Sequence, residues 1–88
     1  MFLARVVGSA VVTQKIPALM GKKLMIVQKV NRANAVIADS PDIIAVDSVG
    51  AGKGDLVIVA GGSAVRDLYP EPNEGIDNAI TAIVDSLN

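Results

Sequence analysis

Residues 56–60 read Leu-Val-Ile-Val-Ala, apolar at every position, with a glycine-rich turn before them and Gly61-Gly62 after them. A run this short, bounded by glycines and rich in β-branched residues, reads as a strand. A strand in a sheet with one wet face alternates apolar and polar residues; a continuous apolar strand is covered on both faces. Eighty-eight residues make one domain, with no room for two. The run therefore implies a closed barrel core on one side and contact with another subunit on the other. Composition agrees. The hydrophobic fraction is 51%, more apolar side chain than so small a core absorbs, because a domain of this length buries little over half of its unfolded surface. The surplus points to self-association.

The rest of the chain divides into short elements. Residues 3–12 form a Val- and Ala-rich strand with Gly8 as a bend or bulge. Residues 13–21, holding Pro17 and Gly21, form a loop. A second strand covers 24–30, opening with Leu24-Met25-Ile26-Val27. Residues 31–42 make a polar connection with a small apolar patch at 35–38 and a Ser40-Pro41-Asp42 turn. A third strand covers 43–49, the tight turn 50–55 follows, and the apolar run is the fourth strand. Ser63 is placed to cap a short helix through Leu68, and residues 70–75 form a loop. The C-terminal segment is ambiguous. Ile76, Ile80, Ile83, Val84 and Leu87 follow helical spacing, while Ile80, Thr81, Ile83 and Val84 are β-branched and suit a strand. Several short strands between Gly and Pro turns indicate one mainly β domain over 1–88, a small barrel or sandwich.

Residue types narrow the chemistry. The chain has no Cys and no His, which removes thiol nucleophiles, zinc-thiolate sites and the commonest general base. The turn Gly50-Ala51-Gly52-Lys53-Gly54-Asp55 lacks the glycine spacing of a phosphate loop and has no Ser or Thr after its lysine. It serves either as a strand-to-strand turn needing positive φ angles or as a place where backbones approach closely. Asp39, Asp42 and Asp47 do not match a calcium loop and read as solvated turn acids. Ser63 has no base near it in sequence. No catalytic residue, cofactor site or metal site is expected. No stretch reaches the length of a membrane-spanning helix. The start of the chain, interrupted by Arg5 and without a basic leader, does not read as a signal peptide. An intracellular location fits.

Charge is split along the chain. Six bases, Arg5, Lys15, Lys22, Lys23, Lys29 and Arg32, precede the first acid, Asp39; from Asp39 onward Lys53 and Arg66 stand against nine acids. The bases are scattered rather than clustered, which favours opposite charges meeting in the fold or across an interface over a nucleic-acid patch. A small barrel binding single-stranded nucleic acid is the alternative function. That mode stacks bases on aromatic rings, and the chain has only Phe2 and Tyr69.

Three segments together resemble a known family. The first holds Leu3-Ala4-Arg5-Val6-Val7-Gly8, Val12-Thr13-Gln14-Lys15, Pro17, Leu19, Gly21, Lys23-Leu24 and Val27-Gln28. The second runs unbroken from Val46 to Val59 and continues into Gly62-Ser63-Ala64 and Arg66. The third is Ile76-Asp77-Asn78-Ala79-Ile80 with Ile83-Val84-Asp85. In this order they resemble the pentameric vertex proteins of bacterial microcompartments, the family shared by carboxysomes and by ethanolamine- and propanediol-type shells. Val65, Asn78 and Ala82 depart from the usual residues, and 31–42 matches nothing in the family pattern.

The resemblance implies a five-stranded barrel like an oligonucleotide-binding fold, with one or two short helices, the C-terminal segment being a short helical turn and then a last strand. It implies a non-enzymatic cytoplasmic shell subunit forming homopentamers that close and curve the shell among hexameric shell proteins, without membrane or nucleic acid. On this reading Val49, Gly50, Ala51, Gly52 and Lys53 line an axial opening, where five copies of Lys53 would repel one another unless exposed or paired with Asp55; the opening is either narrow and positively biased, favouring small anions, or a sealed hole without a role. Lys15, Lys22, Leu56, Ile58 and Arg66 are the expected subunit or shell contacts, with the loops 13–22 and 70–75 nearby. An intrachain salt bridge is the alternative for Arg66.

Overall fold

The structure, a computed structural model, describes residues 1–69, 71, 73 and 75–88. Five strands, β1 (Phe2–Ala10), β2 (Lys23–Lys29), β3 (Ile43–Asp47), β4 (Leu56–Gly61) and β5 (Asn78–Ile83), close into a barrel in the order β1-β2-β3-β5-β4. Every neighbouring pair is antiparallel except β3 and β5, which run parallel and pair through Val46–Ala79 and Asp47–Ile80. These two rows close the barrel. The expected β-rich, five-stranded barrel is therefore the observed fold, and its short helical elements are two 3-10 turns, Pro17–Leu19 and Ser63–Leu68.

Inward positions follow the two-residue period of a strand. Ala4 and Val6 of β1, Met25 and Val27 of β2, Ala45 of β3, Val57 and Val59 of β4 and Ile80 of β5 make one buried cluster. A second cluster, Leu24, Val46, Val65, Ile76 and Ala79, lies on the outer face of the sheet, where Leu24, Val46 and Ala79 alternate with the inward Met25, Ala45 and Ile80, and has Leu19 and Tyr69 packed against it. The apolar run splits as its pattern requires: Val57 and Val59 are fully buried, while Leu56, Ile58 and Ala60 face outward and are half-buried. The register of β1 shifts between Val6 and Gly8, the irregularity expected at Gly8.

Three details differ from the sequence reading. The third strand ends at Asp47 rather than residue 49, because the Asp47 carboxylate captures the backbone beyond it. Ser63 is the first residue of its helical turn and not its cap; the cap position is Gly62, with no side-chain cap. Before β5 there is one hydrogen-bonded turn, Ile76 N–H donating to the Asn73 carbonyl, in place of a helical segment. The last strand prevails because an extended backbone buries Ile80 inside the barrel and Ala79 on the opposite face, in the second cluster.

Val59→Ala removes buried methyls from the barrel centre and is expected to cost about 2 kcal/mol. Val11→Ala, at a position 92% exposed, is expected to cost nothing measurable. Urea unfolding of both variants at one protein concentration checks this.

Candidate functional site: the glycine loop and the faces beside it

The turn between β3 and β4 is built around Asp47. Its side chain is almost wholly buried, 1% exposed. Oδ1 accepts from Val49 N–H at 3.0 Å and Oδ2 from Ala51 N–H at 2.8 Å. Lys23 completes the arrangement. Its Nζ lies 3.6 Å from Asp47 Oδ2 and donates to the Ala51 carbonyl at 2.7 Å. Asp47 is thus a buried structural carboxylate, which corrects its reading as a solvated turn acid. Its desolvation is offset by two backbone donors and one cation. The signal was present in the sequence: counting by two from the inward Ala45 points residue 47 inward, and an Asp accepting from the amide two residues on makes an Asx turn. Arg5 and Lys23 had no comparable signal.

The far end of the loop is tied to β1. Val6 N–H donates to the Asp55 carbonyl at 3.0 Å, and Gly54 N–H to the Val6 carbonyl at 2.8 Å. Arg5 donates from Nη1 to the Gly54 carbonyl at 2.7 Å and from Nη2 to Asn34 Oδ1, joining the loop to the linker 31–42. Asp55 Oδ2 accepts from Gly52 N–H at 2.8 Å. Lys53 makes no ion pair among the described residues, where the single ion pair is Lys23–Asp47; the pairing of Lys53 with Asp55 is not formed.

The five residues expected to line an opening therefore differ in character. Val49, Gly50 and Lys53 are exposed, Gly52 is partly exposed, and Ala51 is fully buried with its methyl in the barrel core. Ala51 presents no side chain to any opening; it pins the loop to the barrel. Gly50 and Gly54 have φ of 88° and 94°, so the turn itself demands glycine there. Gly52 is different. Its φ is not positive, and an added Cβ would meet only Asp55 Oδ2 at an ordinary 3.9 Å. The single chain gives no reason for glycine at 52.

The expected contact residues lie outside the loop and are not one cluster. Lys15 is exposed and donates to its own Val12 carbonyl at 2.8 Å. Lys22 Nζ sits 5.8 Å from the centre of the Tyr69 ring. Leu56 and Ile58 form the outward row of β4. Arg66 is half-buried on the second 3-10 turn; its Nε is buried with no hydrogen-bond partner among the described residues, and no salt bridge to it is formed there. In the expected contact loop 70–75, Pro70, Pro72 and Glu74 lie outside the described residues. Among the described residues no group of three acids could hold a metal ion.

A strand-connecting loop clamped by buried groups, on a small closed barrel with an apolar outer row, defines a structural scaffold. Residues 1–85 match the family model described as ethanolamine utilisation protein EutN/carboxysome. Over its full length the chain is 52% identical to the bacterial microcompartment shell vertex protein PduN of Salmonella typhimurium, covering 99% of that protein. The solved pentameric microcompartment shell protein GrpN of Rhodospirillum rubrum superposes with a TM-score of 0.86 at 35% identity, over 100% of this chain and 99% of that one. The Gloeobacter violaceus CcmL structure gives 0.89 at 30% identity, over 100% and 89%. The chain belongs to the EutN/CcmL family, whose matched members are shell vertex proteins and not enzymes.

Asp47→Ala leaves the buried Ala51 amide and the part-buried Val49 amide without their acceptor and is expected to cost about 2–3 kcal/mol. The Ala51 amide should lose most of its protection in hydrogen exchange, while amides of β1 and β2 lose protection only in step with global stability.

Proposed function

We propose that this chain is a structural shell subunit that assembles as a ring of five and closes the vertices of a bacterial microcompartment. The observation that carries the reading is the full-length likeness, in sequence to a named shell vertex protein and in fold to a solved pentameric one. The whole of residues 1–88 acts as one domain. Function lies in shape: a closed barrel is a rigid wedge, and flat sheets of hexameric shell proteins close into a polyhedron only where five-fold units remove an angular sector. No reaction and no cofactor is involved, and the site of action is the shell of a compartment in the cytoplasm.

In this reading the glycine loop faces the ring axis. Gly52 supports it, since it is glycine without need in the single chain; five backbones converging would supply the need. Val49, Gly50, Gly52 and Lys53 provide the lining, and Lys53 side chains, in no ion pair among the described residues, give it a positive bias. Ala51, though in the same segment, holds the loop in place from inside. Leu56 and Ile58 meet the next subunit, and Arg66 Nε, without a partner among the described residues, takes an acceptor there. Lys15 and Lys22, beside the first 3-10 turn, belong to the contacts with subunits or hexamers.

The nucleic-acid alternative has no observation in its favour. Both aromatic rings have a lysine over them: Lys29 Nζ lies 4.8 Å from the Phe2 ring centre and Lys22 Nζ 5.8 Å from that of Tyr69. Each ring is also packed against a core cluster, Phe2 on the first and Tyr69 on the second, so neither stands out as a stacking platform.

Two experiments test the reading. Producing the compartment's hexameric shell proteins with this chain should give closed polyhedra by electron microscopy, and without it open or elongated shells; closed shells in its absence would refute the vertex role. Gly52→Leu should keep the wild-type circular dichroism but lose the ring, whereas Gly50→Ala should destabilise the chain itself by about 1 kcal/mol.

A further inference from the structure

The linker 31–42 contains a tight turn braced on the barrel. Asn31 N–H donates to the Ala35 carbonyl at 2.9 Å, Asn34 N–H to the Asn31 carbonyl at 2.8 Å, and Ala35 N–H to Asn31 Oδ1 at 3.1 Å. Val30 pairs with Val36, Val30 N–H donates to the Leu3 carbonyl and Ile37 N–H to the Lys29 carbonyl, so the turn is fixed to β1 and β2. Asn34 sits in this turn with a φ of 64°. Glycine is the default residue for that conformation; asparagine adds a side-chain amide. The turn does not use the oxygen of that amide. Its closing bonds come from the backbone and from Asn31 Oδ1, while Asn34 Oδ1 accepts from Arg5 Nη2.

We infer that Asn34 is a positioning residue for the glycine loop: it holds Arg5, and Arg5 holds Gly54. Arg5 Nη1 donates to the Gly54 carbonyl at 2.7 Å, so one planar fork bridges the linker turn and the loop. A single contact leaves a long side chain free to rotate; two acceptors on one rigid fork fix it. Both acceptors are neutral, and Arg5 has no salt bridge among the described residues, so no carboxylate there replaces a lost oxygen. The two halves of the loop are therefore held differently. Residues 47–51 are held by the buried Asp47 carboxylate. Residues 52–55 are held by Arg5, whose bonds are exposed to solvent, together with the β1 backbone. Lys53 rides on this second half, between Gly52 and Gly54. The inference rests on, and deepens, the reading in which the loop lines the ring axis: the linker then fixes where Lys53 stands.

The test is amide hydrogen exchange of the full chain. Asn34→Gly keeps a residue suited to positive φ and removes only the side chain. The N–H groups of Gly54 and Asp55 donate to the Val6 and Gly52 carbonyls. In Asn34→Gly they are expected to exchange about five- to tenfold faster, the factor by which one hydrogen bond to a charged group holds this half of the loop closed. The Ala51 amide, held by Asp47, should keep its rate. Asn34→Asp restores an acceptor at least as strong for the guanidinium, and its Gly54 amide should exchange no faster than in the wild type. Unchanged rates at Gly54 and Asp55 in Asn34→Gly, an equal loss at Ala51, or faster exchange in Asn34→Asp would each overturn the inference. Native mass of the wild type judges the ring separately: without a five-copy species the axial reading fails, while the exchange rates still decide whether Asn34 positions the loop.

Discussion

The carboxylate of Asp47 is buried where the barrel closes, and most of what lies around it depends on that burial. Asp47 pairs with Lys23 of β2 on one side and with Ile80 of β5 on the other. The parallel contact between β3 and β5 is only two rows long, so little backbone bonding closes this seam. The same residue turns the chain away from the sheet by accepting two amides of the following loop. A buried acid without partners would be costly. Here the partners are backbone groups and one lysine, so the carboxylate's cost and the loop's order are coupled. Loosening the acid would loosen the loop, the barrel end and whatever surface the loop presents.

That coupling explains why a glycine-rich segment serves as a rigid element. Gly50 and Gly54 take backbone angles that other residues resist, and Ala51 between them is sunk in the core. Arg5 and the β1 backbone hold the other end. The loop is therefore fixed at both ends and at its centre. The axial surface proposed for this loop would need this kind of fixed geometry, since a mobile loop would lose entropy five times on assembly.

Much of the architecture was legible in the sequence because it rests on apolar pattern. The unbroken run at 56–60 called for cover on both faces, and the structure divides it into Val57 and Val59 inside and Leu56, Ile58 and Ala60 outside. Gly8 marked a bulge and Gly50 a positive φ. What escaped was polar and non-local. Asp47 looked like any turn acid, since nothing local in sequence announces a lysine 24 positions upstream as its partner. Arg5 reaches Gly54 and Asn34 across the fold. The C-terminal segment satisfied helical spacing and β propensity alike, and only the barrel's need for a fifth strand decided it. Family likeness supplied that decision before the structure did.

The surplus of apolar surface and the split of charge meet in one requirement, that identical chains pack against each other through unlike faces. Such contacts close into a ring or run on as a filament, depending on the rotation between neighbours. The measurement that tests this most directly is the mass of the purified chain under native conditions, at several concentrations. The account expects one closed species of five copies, unchanged on dilution until it dissociates to single chains. A chain that stays monomeric at all concentrations, or a ladder of sizes without a five-copy end point, would contradict it.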